Sequence, residues 1–264
     1  MKFLKVSWLK KKIRGLALRI FNKIENNGNA VFTKNGEKHF INTILSEFKK
    51  RQNDVTIFDI GANVGNYSEL LLEKSAKLNL NIKLHLFEPT EGCFGVLEKK
   101  FSKYSNVICN KTGLSDKKQN AIIYYDRDKS GLASLYKRNL KAYDLQLCKQ
   151  ENIRLDTAAD YIEEKGLEHI DFVKIDVEGH EVAAFKGFAD FLDSDFIDYL
   201  QFEYGGANLD SKTSLMEIYD LLEGKGFKIA KIMPSGLEIR SYKPFMENYQ
   251  YANYVAISPR IINK

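Results

Sequence analysis

Short apolar stretches that stop at a single acid recur along the chain. Val55–Phe58 ends at Asp59, Ile82–Phe87 at Glu88, Phe172–Ile175 at Asp176 and Tyr199–Phe202 at Glu203. Runs of this length that are apolar on both faces fit strands buried on both sides, as in a parallel sheet. Val107–Asn110 is a further short strand, and Gly224–Ile232 and Tyr254–Ser258 supply two more. Between them the period changes to that of amphipathic helices. His39–Arg51 places Phe40, Ile44 and Phe48 on one face, Tyr67–Leu78 carries Leu70, Leu71, Leu72 and Ala76, and Cys93–Tyr104, Glu181–Leu192 and Leu215–Leu222 follow the same pattern. Leu155–Lys165 opens on Asp156-Thr157, a helix start. Strands alternating with helices predict an α/β fold, Rossmann-like, with helices on both faces of a mostly parallel sheet.

Three stretches fall outside this alternation. The first 24 residues contain Leu9, Ile13, Leu16, Ile20 and Ile24 at helical spacing among lysines and arginines, and predict a basic amphipathic helix. Asn26–Lys38 is polar, with a short hairpin expected at Asn35-Gly36. From Asp116 to Arg154 the pattern breaks up. Ala121–Tyr125 is strand-like, Asp126–Gly131 is polar, and Leu132–Leu147 has no period. An irregular insertion between core strands is a candidate substrate lid, with Arg127, Ser130, Ser134 and Arg138 available to meet a sugar or its phosphate. The chain thus divides into an N-terminal helical extension (1–51) and an α/β body (52–264) holding an insertion at 116–154.

The first strand passes directly into Gly61-Ala62-Asn63-Val64-Gly65, and a helix follows from Asn66. Glycines at both ends of the turn allow the backbone to reverse and a ligand to approach it. The helix N-terminus then offers free N–H groups to an anionic group. The dinucleotide fingerprint G-x-G-x-x-G is not met, because Asn63 stands at its second glycine, which disfavours a nicotinamide oxidoreductase. Glu88 ends the second strand, where an acid accepts hydrogen bonds from ribose hydroxyls. An adenosine carrying a tail other than pyrophosphate satisfies both signals.

Phe58-Asp59-Ile60-Gly61-Ala62-Asn63-Val64-Gly65, Phe87-Glu88-Pro89, Gly113-Leu114-Ser115-Asp116 and above all Ile170–Glu181, IDFVKIDVEGHE, resemble the FkbM family of class I S-adenosylmethionine-dependent methyltransferases, in order, over about Thr56 to Ser258. The resemblance implies a seven-stranded sheet whose last two strands run antiparallel at its edge. It also implies methylation of a hydroxyl on a sugar, glycan or other natural product. For the cofactor it implies Asp59, Gly61, Ala62, Asn63, Gly65, Asn66, Glu88 and Asp176, with Ser115 and Asp116 in the loop that meets adenine.

The net charge of +5 is unevenly placed. Lys2, Lys5, Lys10, Lys11, Lys12, Arg14, Arg19 and Lys23 stand in the first 24 residues without an acid among them, so the body is mildly acidic. That argues against a nucleic-acid channel through the body, since phosphates need basic residues where they lie. The basic helix suits an anionic membrane surface, a face of the body or a second subunit in a homodimer. No segment there is apolar enough for a signal peptide or a membrane span. The three cysteines, Cys93, Cys109 and Cys148, show neither disulfide nor zinc spacing, which points to a reducing cytoplasm. With the basic helix, this suggests an acceptor of polysaccharide biosynthesis at the inner membrane face.

Asp176, Glu178, His180, Glu181 and Glu203 cluster at the carboxyl ends of two strands, the edge where open parallel sheets bind ligands. His180, with an ordinary pKa of roughly 6.5, is the candidate base for deprotonating an acceptor hydroxyl, with Asp176 or Glu178 to orient it. Such a base is worth about 10²–10⁴-fold in rate. Asp176 and Glu203 offer a second route, binding a divalent cation such as Mg²⁺ that acidifies the hydroxyl. The aromatic run from Tyr242 to Tyr254 is rim packing or a sugar platform, and His39, His85 and His169 are structural. An amine or carboxylate acceptor, or a nucleoside-binding module without catalysis, are the alternative functions.

Overall fold

The computed structural model describes residues 5–51 and 53–262. The start of the basic N-terminal segment, Lys2 included, lies outside them. In chain order the elements are α1 (Trp8–Ile24), α2 (Glu37–Arg51), β1 (Val55–Ile60), α3 (Asn66–Lys77), β2 (Ile82–Phe87), α4 (Glu91–Phe101), β3 (Val107–Asn110), β4 (Gly113–Leu114), β5 (Gln119–Tyr125), β6 (Lys149–Asp156), α5 (Ala158–Lys165), β7 (Ile170–Ile175), α6 (Glu181–Lys186), β8 (Ile197–Tyr204), α7 (Gly206–Ser211), α8 (Leu215–Gly224), β9 (Lys228–Met233), β10 (Gly236–Ile239), β11 (Ala252–Ile257) and α9 (Pro259–Ile262).

The main sheet has the order β10-β9-β11-β8-β7-β1-β2-β3. β3, β2, β1, β7 and β8 are parallel, whereas β11 pairs antiparallel with both β8 and β9. The expected seven strands are therefore eight among the described residues. β10 folds back on β9 through a tight turn at Pro234-Ser235, and its four residues, Gly-Leu-Glu-Ile, are too few to be read as a strand from the sequence.

Strand alternation divides the core between two faces. Phe58, Ile60, Val173 and Ile175 join Ala158, Val182, Phe185, Leu215 and Ile218 under α5, α6 and α8. Ile57, Leu84, Leu86 and Phe172 join Phe40, Ile44, Phe48, Leu71 and Leu97 under α2, α3 and α4. Asp59 and Lys174 fall on this second face, near the carboxyl ends of their strands.

Four local expectations need correction. Asn35-Gly36 forms no hairpin: Asn35 Oδ1 accepts from Glu37 N–H at 3.0 Å and opens α2, while a Cβ on Gly36 would lie 2.2 Å from the Met233 carbonyl oxygen. The helix after β7 stops at Lys186, because Gly187 packs where a Cβ would lie 2.1 Å from the Ser115 carbonyl oxygen. β8 runs on through Glu203 to Tyr204, paired to β11 along that length. The insertion is ordered, since β5 and β6 form an antiparallel ladder with β4 beside β6, around Ile123, Ile153 and Leu155.

Candidate functional site

A cavity of about 440 Å³ opens at the carboxyl ends of β1, β2 and β7, walled on its outer side by Ile123, Ser130, Leu135 and Ile153 of the insertion and by Leu155 just after it. Its floor is the turn after β1. Gly61 (φ 82°) and Ala62 donate their N–H groups to the Phe87 carbonyl at 2.9 and 3.0 Å, tying the turn to β2. At Gly61 only a glycine fits, because a Cβ would lie 1.9 Å from the Asp176 carbonyl oxygen. Asn63 is left-handed (φ 50°), and its Nδ2 donates to the Ser130 carbonyl at 2.8 Å, fastening the insertion over the turn.

The acids of the wall are held in different ways. Asp59 is fully buried; its Oδ2 accepts from Ser68 at 2.6 Å, while its Oδ1 has no hydrogen-bond partner. Burial raises its pKa, and nearby Lys174 and the Ser68 bond pull it back. Lys174 donates to Asp176 Oδ2 at 2.9 Å and lies 4.8 Å from the Tyr67 ring centre. The negative charges of Asp176 and Asp59 outweigh its burial and keep it firmly protonated. Glu88 accepts from Asn63 N–H and from Thr90 N–H, each at 2.9 Å, and from the Thr90 hydroxyl. Burial raises its pKa against those bonds.

His180 stands at the start of α6 and lines the cavity. Its Nε2 is 2.9 Å from Ser115 Oγ and its Nδ1 is 3.2 Å from the Tyr136 hydroxyl. A carboxylate only accepts, so the 3.0 Å bond between Ser115 and Asp116 is donated by the serine. Ser115 Oγ therefore takes its own hydrogen bond from Nε2–H, and Nδ1 is left to accept from the Tyr136 hydroxyl. Burial lowers the imidazole's pKa, with the Asp116 charge opposing that, so the ring is neutral near pH 7.

These contacts revise the expected roles. Glu178 does not orient His180; it is left-handed (φ 50°), paired with Arg138, and its carbonyl accepts from Ser134 at 2.7 Å. Burial and the Asp176 charge push its pKa up, against the Arg138 guanidinium. Asp176 is turned to Lys174 instead of His180. Ser115 is buried behind His180 and Asp116 is exposed, and neither lines the cavity. Gly65 is also absent from its lining: a Cβ there would lie 2.5 Å from Phe101 and 2.6 Å from Leu97, so this glycine serves the packing of α3 on α4. Asp59, Gly61, Ala62, Asn63, Asn66, Glu88, Asp176, Glu178 and His180 all line the cavity.

The expected cation pair also needs revision. Lys174 already neutralises Asp176, and Glu203 has a strongly raised pKa because burial adds to the charges of Asp176, Glu178 and Glu181. Among the described residues, the only three-residue group with metal-ligand spacing is His169, Asp171 and Asp198, at the amino-terminal ends of β7 and β8. Arg51 and Arg260 already pair with it. Within the insertion, Arg138 and Ser134 are committed to Glu178, Arg127 is exposed, and Ser130 reaches the cavity.

Sequence reasoning missed Lys174, Tyr67 and Tyr136. Lys174 had a signal, since a lysine inside a run of buried strand residues requires a buried acid. Tyr136 had none, because it lies in the stretch without a period.

A family profile described as methyltransferase FkbM domain matches residues 59–229. No curated protein matches the chain. Among solved structures, the chain is similar to methyltransferase FkbM from Methylobacillus flagellatus KT, with 15% identity and a TM-score of 0.47, over 77% of this chain and 44% of that one. It thus spans less than half the length of that protein. The N-terminal domain of human METTL16 is similar at 10% identity and a TM-score of 0.46, over 84% and 70% of the two chains. SMU.1697c, a putative methyltransferase from Streptococcus mutans in complex with SAH, is similar at 11% identity and a TM-score of 0.41, over 83% and 96%.

Proposed function

The chain belongs to the FkbM family of methyltransferases, and from that membership we propose that it is an O-methyltransferase, moving a methyl group from S-adenosylmethionine to a hydroxyl of a sugar, glycan or related natural product in polysaccharide biosynthesis. When bound, the cofactor supplies an electrophilic methyl carbon on a positively charged sulfur. The cavity suits it in two respects. Asp59 Oδ1, a buried acceptor without a partner, matches the ammonium of a methionine tail. Glu88, at the end of β2, retains one lone pair, on Oε2, for a ribose hydroxyl.

The observation that supports the reading is His180 on the cavity wall, with Nε2 tied to Ser115 and Nδ1 facing the Tyr136 hydroxyl. A hydroxyl acceptor is a poor nucleophile until its proton leaves. In the proposed step His180 Nδ1, released from the Tyr136 hydroxyl, takes the proton of the acceptor hydroxyl. The oxygen then attacks the methyl carbon as the bond from carbon to sulfur breaks. The imidazolium so formed donates through Nε2 to Ser115, whose own hydroxyl donates to the Asp116 carboxylate. The second reading is an amine acceptor, which attacks through its lone pair once its ammonium proton has left. The three free cysteines suit a cytoplasmic setting.

The test is calorimetric titration with S-adenosylmethionine, S-adenosylhomocysteine and NAD, followed by turnover with methyl-labelled donor and saccharide acceptors, the product being read by NMR. Binding of both sulfur ligands and a new methoxy resonance support the proposal. An N-methyl product would move it to the amine reading. Binding without turnover, against acceptors of both classes, would leave a nucleoside-binding module.

A further inference from the structure

α1 presents an apolar stripe to solvent, and none of its residues is buried. Leu9, Ile13, Leu16, Ile20 and Ile24 are each between 51% and 67% exposed. At about 100° per residue these five side chains fall within one sector of roughly 80° on the helix, with Ala17 completing it. Lys12 and Lys23 border the sector on one side, and Lys10 and Arg14 on the other. The helix contains no acid.

Its root is fixed to the body. Glu25 pairs with Lys231 and Arg240, Asn27 Oδ1 accepts from Lys231 at 2.6 Å, and Asn26 Nδ2 donates to the Ile232 carbonyl at 3.0 Å. Gly28 N–H donates to the Tyr251 carbonyl at 2.8 Å, next to the Ala252 and Tyr204 pair that ends β8. Among the described residues, the one aromatic contact the helix makes with the body is Phe21 against Phe245, at 6.1 Å. α1 therefore leaves the body at the carboxyl edge of the sheet, where the cavity also opens, with its stripe unpartnered.

We propose that α1 binds the surface of an anionic lipid bilayer, lying in the interface with Leu9, Ile13, Leu16, Ile20 and Ile24 among the acyl chains and the flanking cations on the headgroups. Charge decides the occupant. A second copy of the helix would bring two cationic borders together with no acid to offset them. A nucleic acid would meet the cations but leave the apolar stripe in water. An anionic bilayer satisfies both features. No helix among the described residues is long and apolar enough to cross a membrane, so the attachment is peripheral. It is independent of the methyl-transfer reading, and it brings the sheet edge that bears the cavity close to the lipid surface.

The test uses the full chain in vesicle flotation, with vesicles of phosphatidylcholine alone and of phosphatidylcholine mixed with phosphatidylglycerol, at low and high salt. Binding is expected to the mixed vesicles and to fall with salt. Each basic side chain near the surface is worth about fivefold in partitioning, so Lys12→Ser with Lys23→Ser should weaken binding about 25-fold. Ile13→Asp with Leu16→Asp should abolish it. Both variants should keep the wild-type melting temperature, since neither alters a buried residue. The proposal is overturned by equal partitioning to the two vesicle types, by no binding to either, or by binding that survives Ile13→Asp with Leu16→Asp. A dimer by sedimentation equilibrium that this apolar variant dissolves, with no vesicle binding, would assign the stripe to a second copy and likewise overturn it.

Discussion

Replacing Asp59 with Asn separates a cofactor role from a structural one. Asp59 sits at the end of β1 with one oxygen on Ser68 and the other buried and unpartnered. The fold thus bears a desolvation cost at Oδ1 that only a donor in the cavity relieves. A charge-assisted hydrogen bond from an ammonium is worth about 1.5–3 kcal/mol, or about 10- to 150-fold in Kd. In Asp59→Asn the carbonyl oxygen can keep the Ser68 bond, but an amide NH₂ faces the ammonium. Lys174 retains Asp176 at 2.9 Å. S-adenosylhomocysteine affinity should therefore drop within that range while the melting temperature holds or rises. Calorimetric titration and differential scanning calorimetry on the same samples measure both. A loss below about threefold, equivalent to about 0.6 kcal/mol, would refute the assignment of Asp59 to the ammonium. A clear fall in melting temperature would show that the carboxylate is structural.

Other perturbations read other parts of the site. His180→Gln should lower kcat by about 10²–10⁴-fold and leave S-adenosylhomocysteine binding unchanged. Because burial lowers the His180 pKa, wild-type kcat/KM should stay level down to pH 6.5 or below before it falls, and the His180→Gln profile should lose that acid limb. Gly65→Ala combines a positive φ with overlap on Phe101 and Leu97, so it should cost about 1–3 kcal/mol by denaturant titration. His85 has its pKa lowered to about 4 by burial, below its unfolded value of roughly 6.5. The unfolded chain then binds the proton first, so stability is full above that value and falls as the pH drops toward 4, by at most about 3 kcal/mol. His85→Phe should flatten this acid limb in chemical denaturation, since Tyr161 keeps its hydrogen bond from Asn110.

Local patterns carried most of the fold and half of the site. A buried strand has to be apolar on both faces, and a sharp turn beneath a ligand needs glycine, so β1, β2, β7 and the Gly61 turn are visible in the order of residues alone. Glu88 and Asp176 follow, because they end those strands. Pairings between distant segments are different, since they depend on where long-range contacts bring side chains together. Lys174 meets Asp176 and Asp59 because β7 lies beside β1. His180 meets Tyr136 and Ser115, and not its sequence neighbour Glu178, because Arg138 reaches across from the insertion to hold that acid. Gly65 looked like a ligand contact but faces α4. The eighth strand, β10, exists because a tight turn after β9 lets it complete the sheet edge, although four residues are too few to be read as a strand alone. For α1 the sequence predicted an amphipathic helix but left its partner open. Only the tertiary structure put the helix outside the core, because the body closes over its own apolar surface and the apolar stripe remains in solvent.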